Sequence, residues 1–304
     1  MTTTGRLALT ALAICCATPA CNKLKGDLTD SSAKPAASAP AAVQGTSFTV
    51  KVPRKGTSRV SRQTMTTRFS IAALGAGGKV ITKMDMKEVE VHDTTENVMA
   101  TNDKGPTSVR VTYDKHVKTE TTGPKTKSKK TAVDGKTYLA TLKDGKIVVT
   151  TADGKKVKSS ETKLVQKDEK DLGRADPFEA LIPNHPLKKG EQLKVTNDLA
   201  ADLMGGSDMK MDVDKLSVTF EGAKQEGGHT EGLFKLHMEV TGYPQPTMGL
   251  QMKLDGKIAL DTATGWPVSV HLAGPLQVKG DDPKHHVHME GQGKIEMNAS
   301  YSYK

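Results

Sequence analysis

Beyond residue 21 the chain has no cysteine: Cys15, Cys16 and Cys21 are its three thiols, in a sequence of 304 residues. A body without thiols has no disulfide framework, no thiolate zinc site and no cysteine nucleophile. Aromatic residues make up only 4% of the chain, and Trp266 is the single tryptophan. Few rings are therefore on offer for stacking sugars, which disfavours a carbohydrate-binding module. The recurrent catalytic patterns are missing as well, with no Gly-x-Ser-x-Gly elbow and no His-Glu-x-x-His helix. Ser160-Glu161-Thr162-Lys163 fits Ser-x-x-Lys by two residues alone, without its partner motifs. Gly75-Ala76-Gly77-Gly78-Lys79 is too short for a phosphate loop, and Val80 stands where a magnesium-binding hydroxyl belongs. Asp208, Asp212 and Asp214 have the wrong spacing for a calcium loop and read as a solvated loop. No catalytic residue is nominated, no cofactor is expected, and the chain reads as non-enzymatic.

What is present begins with a leader. Arg6 is followed by a small and apolar run from Leu7 to Ala17 and then by Thr18-Pro19-Ala20-Cys21. A cationic start, an apolar core and small residues before a cut make a secretory signal, here residues 1–20, and the run is too short for a spanning helix of about 20 residues. From Asp27 to Gln44 the chain is rich in Ala, Ser and Pro. Such a segment buries too little apolar surface to offset its ordering entropy, so 21–46 reads as an anchor site and spacer before a body over 47–304.

The Ala20-Cys21 junction resembles that of bacterial lipoproteins, in which a small residue precedes a cysteine that receives diacylglycerol. That resemblance implies lipidation at Cys21 and a membrane partner reached through the lipid. Asn22 at the next position implies an outer-membrane address, facing the periplasm or the cell surface. Thr18 and Pro19 depart from the lipoprotein pattern, and cleavage by an ordinary signal peptidase near Ala17 or Ala20 is the alternative.

The formal net charge is +9. Much of the excess lies at Lys115, Lys118, Lys125, Lys127, Lys129 and Lys130. Nucleic-acid surfaces interleave cations with aromatic or arginine stacking groups, and the run from Thr119 to Thr131 has none. No nucleic-acid partner is expected; the lysines read as a solvated loop or as edge-strand charge that blocks edge-to-edge pairing.

Within the body the dominant signal has period two. Phe234, Leu236, Met238 and Val240 alternate with Lys235, His237, Glu239 and Thr241; Val109, Val111, Tyr113 and Leu216, Val218, Phe220 repeat the pattern, as do Ile295, Met297, Ala299, Tyr301 and Tyr303. One face is buried and the other wet, the signature of antiparallel sheet. Asp134-Gly135, Asp144-Gly145, Asp153-Gly154 and Asp255-Gly256 each predict a hairpin. Helix is confined to Asp198–Met204, capped by Asn197, and to a short turn opened by Asp176-Pro177. The fold class is therefore all-β with minor helix: curved antiparallel sheets or a half-barrel. Lys143-Asp144-Gly145-Lys146-Ile147 and Leu254-Asp255-Gly256-Lys257-Ile258 fit either two related β units over 47–165 and 185–304 or the reuse of turn residues by unrelated hairpins. A membrane-spanning barrel is not expected, because the apolar face alternating with the wet one must be covered by protein.

The layout after residue 185, with a Pro186-Leu187-Lys188-Lys189-Gly190 opening, long alternating strands and an Asp261-Thr262-Ala263-Thr264-Gly265 turn, resembles bacterial envelope lipoproteins of extended β structure. More distantly it is similar to lipoprotein carriers of the LolA and LolB type, which implies a curved sheet around a hydrophobic cavity beneath short helices.

His286, His288 and Glu290 project from one face if their segment is a strand, as metal ligands do; the alternative is imidazoles on a wet face. Methionines such as Met238, Met248, Met252, Met289 and Met297 suit irregular apolar ligands or simply fill a core. Two functions lead: an envelope lipoprotein binding an apolar ligand or a protein partner on its concave sheet, or a structural component with no small ligand; a hydrolase or metal-dependent enzyme ranks third, because no nucleophile, acid or metal site stands above chance. A carrier would leave the faces Phe234–Val240 and Leu250–Leu254 partly uncovered, whereas a structural sandwich buries them.

Overall fold

Alternating sequences pair as long ladders, and the computed structural model, which describes residues 45–195, 210–245, 247–282 and 287–304, is built almost entirely from them. The N-terminal group of strands is β1 (Ser58–Leu74), β2 (Val80–Thr101), β3 (Pro106–Thr122), β4 (Lys125–Lys130), β5 (Thr137–Lys143) and β6 (Lys146–Thr151). Helix α1 (Ser159–Asp168) and a 3-10 turn (Pro177–Leu181) follow. The C-terminal group is β7 (Gln192–Leu193), β8 (Lys210–Glu226), β9 (His229–Gln245), β10 (Met248–Asp261), β11 (Pro267–Asp282) and β12 (Val287–Tyr303).

All of them join one 12-stranded sheet in the order β6-β5-β3-β2-β1-β12-β11-β10-β9-β8-β7, with β4 beside β3. Every pairing between these strands is antiparallel, and the first long strand, β1, is held between β2 and the last, β12. The path ends at β6 and β7 without closing into a barrel. The all-β, antiparallel architecture is the one that the period-two pattern predicts.

Inward-facing side chains of β1 and of β8 to β12 form one hydrophobic cluster that includes Met65, Phe220, Phe234, Leu254, Leu272 and Met297. Strands so far apart in the order share a core only if the sheet curls over itself. Glycines inside strands permit this. At Gly256 on β10 an added Cβ would be driven into the carbonyl oxygen of His271 on β11, and at Gly274 on β11 into that of Lys253 on β10. Close backbone approach of this kind is where a strand needs glycine. A second cluster, with Val109, Val111, Tyr113, Tyr138, Val149 and Val165, lies between β3, β5, β6 and α1.

The four Asp-Gly pairs do not behave alike. Asp144-Gly145 closes the β5–β6 hairpin with φ of 50° and 74°, as a two-residue turn of the mirror-image type requires. Asp153-Gly154 turns the chain after β6 into the antiparallel bridge Thr150–Lys156. Asp134-Gly135 does not join a hairpin: β4 and β5 both pair with β3, and the Gly135 N–H donates to the carbonyl of Tyr113 at 2.8 Å. Asp255-Gly256 is no turn either, since it lies within β10 and its glycine serves strand packing. The Gly227-Gly228 turn between β8 and β9, with φ of 58° and 87°, is a hairpin that the Asp-Gly reading passed over.

Asp212 and Asp214 sit on β8 and not in a loop. The Asp176-Pro177 turn forms as expected, the Asp176 carboxylate accepting from the Phe178 N–H at 2.9 Å. Helix α1 was not anticipated. Its buried Glu161 accepts from Tyr138 Oη at 2.8 Å and from Lys136 Nζ at 3.0 Å, so a polar clamp docks a segment with few apolar residues. Asp208 and the helix expected at Asp198–Met204 lie outside the described residues.

A polar cavity between the two cores

Across the middle of the sheet, register puts the inward side chains of β12, β1 and β2 in rows. Ile295–Thr67–Glu88 and Met297–Met65–Glu90 lie at one end; Ala299–Gln63–His92, Tyr301–Ser61–Thr94 and Tyr303–Arg59–Glu96 follow. The last three rows replace a hydrophobic core by polar groups. They form the floor of a cavity of about 290 Å³.

Its roof is the segment from the end of α1 to the Pro177–Leu181 turn. Leu172 in this segment belongs to the smaller cluster and Phe178 and Leu181 to the larger, so the roof is fastened to both cores. The Gly173 N–H also donates to the Pro106 carbonyl at 2.6 Å, tying it to the start of β3.

Arg59 Nη2 reaches both carboxylate oxygens of Glu96, at 2.6 and 2.7 Å, directly across the β1–β2 ladder. Burial opposes the Arg59 charge, yet Glu96, with help from Asp176, keeps its pKa well above the ordinary value. A bulge at Asp114 shifts the register between Asp93–Lys115 and Thr94–Tyr113. Tyr113 and His116 are both buried as a result. His92 stacks against both, with ring centroids at 5.6 Å from Tyr113 and 4.3 Å from His116, which are 6.1 Å from each other.

Tyr113 Oη donates to Asp168 Oδ2 at 2.9 Å, and His92 Nε2 lies 3.9 Å from the same oxygen, beyond hydrogen-bond range. Burial pushes Asp168 up to about 6 and His92 down to about 4, the latter helped by the His116 charge. Glu169 is 7% exposed, and its carboxyl has no hydrogen-bond or ion-pair partner among the described residues. Burial, and then the Glu96 charge, holds it well above the usual carboxylate range. Asp176 is raised by burial, partly offset by Arg59. Tyr303 Oη and His92 Nε2 are also buried without a hydrogen-bond partner.

Three polar groups without a side-chain hydrogen bond therefore line one cavity. Each costs on the order of 1–3 kcal/mol unless water or a ligand satisfies it. Sequence reasoning did not single out these residues: Tyr301 and Tyr303 read as the end of an apolar face. The available signal was the run of polar residues at inward positions on two adjacent strands, Arg59, Ser61, Gln63 and His92, Thr94, Glu96.

Of the residues singled out from sequence, Cys21 and His286 lie outside the described residues. His288 and Glu290 lie on β12 away from the cavity; His288 Nδ1 is 2.9 Å from Asp281 Oδ1 on β11, and Nε2 is 3.5 Å from Glu290. Among the described residues no group of three His, Cys, Asp or Glu side chains is placed to hold a metal ion. Ser160 and Lys163 lie on α1, and Gly75–Lys79 forms the tip joining β1 to β2. The faces Phe234–Val240 and Leu250–Leu254 are closed: Phe234, Leu236, Met238, Val240, Leu250 and Leu254 are at most 2% exposed. Met238, Met248, Met252 and Met297 fill the core.

No protein-family model matches the chain, and no curated protein sequence matches it. Among solved structures, an outer membrane channel from Pseudomonas putida F1 aligns over 86% of this chain and 99% of its own at 9% identity, with a TM-score of 0.16.

Proposed function

We propose that the chain is a non-catalytic envelope lipoprotein, tethered through Cys21, that binds a small polar ligand in the cavity under the α1 roof. The observation that carries the binding reading is the convergence on a cavity of about 290 Å³ of the Glu169 carboxyl, from a buried residue, and of Tyr303 Oη and His92 Nε2, buried atoms without a hydrogen bond. The apolar-ligand version has less support, because the alternating faces that would hold such a ligand are covered by the protein itself. The envelope address rests on the Leu7–Ala17 run, the Ala20-Cys21 junction and the Ala/Ser/Pro spacer.

Two measurements test these halves separately. Mass analysis of the mature N-terminus should find diacylglycerol on Cys21; an unmodified start at another residue overturns the tether. For binding, native mass spectrometry and thermal melting against small polar solutes should show retained or stabilising ligands, with no uptake of an apolar fluorescent probe. Probe uptake without any polar response would restore the apolar carrier. Silence towards both would leave a structural component whose cavity holds only water.

A further inference from the structure

We infer that the ligand of this cavity is a small organic cation, an alkylammonium in chemical class, whose ammonium group is received by Glu169 beside the rings of Tyr301 and Tyr303. This deepens the binding reading above and rests on it. The charges inside the cavity are unequal. Arg59 is the one cation on the floor, and both oxygens of Glu96 already hold it. Asp168, Glu169, Asp171, Asp176 and Glu179 line the roof side, and the Glu169 carboxyl, the most deeply buried of them, makes no side-chain hydrogen bond among the described residues.

The lysines and arginine that also line the cavity do not meet that need. Lys104 and Arg174 are exposed at its rim, and none reaches within ion-pair distance of Glu169. An anion entering here would face five carboxyl groups on the roof side. A metal ion would need convergent ligands, and the described residues offer no such group. An alkylammonium fits both requirements: its N–H groups satisfy Glu169 and Tyr303 Oη, and its charge is favoured by aromatic faces. Trp266 and Tyr303, with centroids 4.7 Å apart, supply such a wall, and Trp266 is fixed by donating Nε1–H to the Lys51 carbonyl at 2.5 Å.

Uptake would carry a proton signature. Burial raises the Glu169 pKa and an ammonium placed beside it lowers it again, so a proton held by the free site passes to solvent as the ligand enters, and affinity rises with pH.

The test uses the whole mature protein and three probes of equal chain length: putrescine, 1,4-butanediol and succinate. Calorimetry at pH 7 in phosphate and in Tris should show putrescine binding with net proton release, and at least tenfold weaker binding of the other two. Glu169→Gln should lower putrescine affinity at least tenfold and abolish the proton release while keeping an unchanged melting curve. Tyr303→Phe should weaken binding less and keep the release. Should Glu169→Gln fail to fold, the probe ranking and proton count of the parent protein still decide. Binding of 1,4-butanediol or succinate in preference to putrescine would overturn the cation but leave the cavity as a binding site. No binding of any probe, up to millimolar concentration, would overturn both.

Discussion

At the scale of single residues, His92 and Asp168 make a pair whose titrations oppose each other. Asp168 is raised from 3.8 to about 6 and His92 lowered from 6.5 to about 4. Between pH 4 and 6 the folded protein thus keeps a proton on Asp168 that the unfolded chain releases. It also lacks one on His92 that the unfolded chain takes up. The first effect favours folding at the acid end and is lost as pH rises through about 6. The second favours folding above about 6.5 and is lost as pH falls towards 4. In the parent protein the two offset. Asp168→Asn should therefore expose the histidine term alone, with a melting temperature that falls, relative to parent, as pH drops from 6.5 to 4. His92→Gln should expose the opposite slope over the same window. The neighbours that set these values, Glu90, Glu96, Asp93 and His116 around His92, and Tyr113, His116, Lys167 and Glu90 around Asp168, are unchanged in both variants. Melting curves at half-unit intervals would show it, and parallel slopes in the two variants would reject the pairing.

At the scale of elements, what was legible in the sequence was what period two and turn chemistry control. Phe234–Val240 and Ile295–Ala299 are buried on the face their alternation marks, and Asp144-Gly145 is a hairpin. Dipeptides were less informative where tertiary packing gave them another use, as Asp255-Gly256 does. There the glycine lets the backbones of β10 and β11 approach as the sheet curls. Gly256→Ala should accordingly cost about 3 kcal/mol, the upper end of ordinary overpacking. Gly249→Ala on the same strand, with its nearest neighbour at 3.8 Å, should change stability little. Urea unfolding of the two variants makes the comparison, and equal midpoints would mean that Gly256 is not a packing glycine. The cavity escaped for a related reason. On β2 the apolar residues Val89 and Val91 alternate on the positions opposite to His92, Thr94 and Glu96, so the hydrophobic pattern marked the wrong face as inward. The roof residues Asp168, Glu169 and Asp176 come from a segment with no periodicity, brought over the floor only by the anchors Leu172, Phe178 and Leu181.

At the scale of the whole molecule, the sheet is open, and an open sheet must protect its unpaired edges from other chains. At one end β7 is only two residues long, a poor template for pairing. At the other, β6 is partly covered by the bridge from Thr150 to Lys156. Beside β3 lies β4, Lys-Thr-Lys-Ser-Lys-Lys, exposed at every position and paired with β3 alone among the described strands. The cationic run thus forms an edge strand, one of the two placements its composition allowed. Replacing Lys127 and Lys129 together by valine removes the charge and adds β-branched side chains, so the edge should recruit a second copy. Light scattering behind a sizing column should show a larger species that grows with concentration and is absent from the parent. Stability should stay within about 0.5 kcal/mol, because both positions are on the surface. The same pair replaced by glutamate separates edge protection from overall repulsion. That change lowers the net positive charge further than valine does, so if repulsion between whole molecules kept the protein apart, the glutamate variant would associate more strongly. If the edge is what is protected, a charge of either sign blocks pairing, and the glutamate variant should elute like the parent at every concentration.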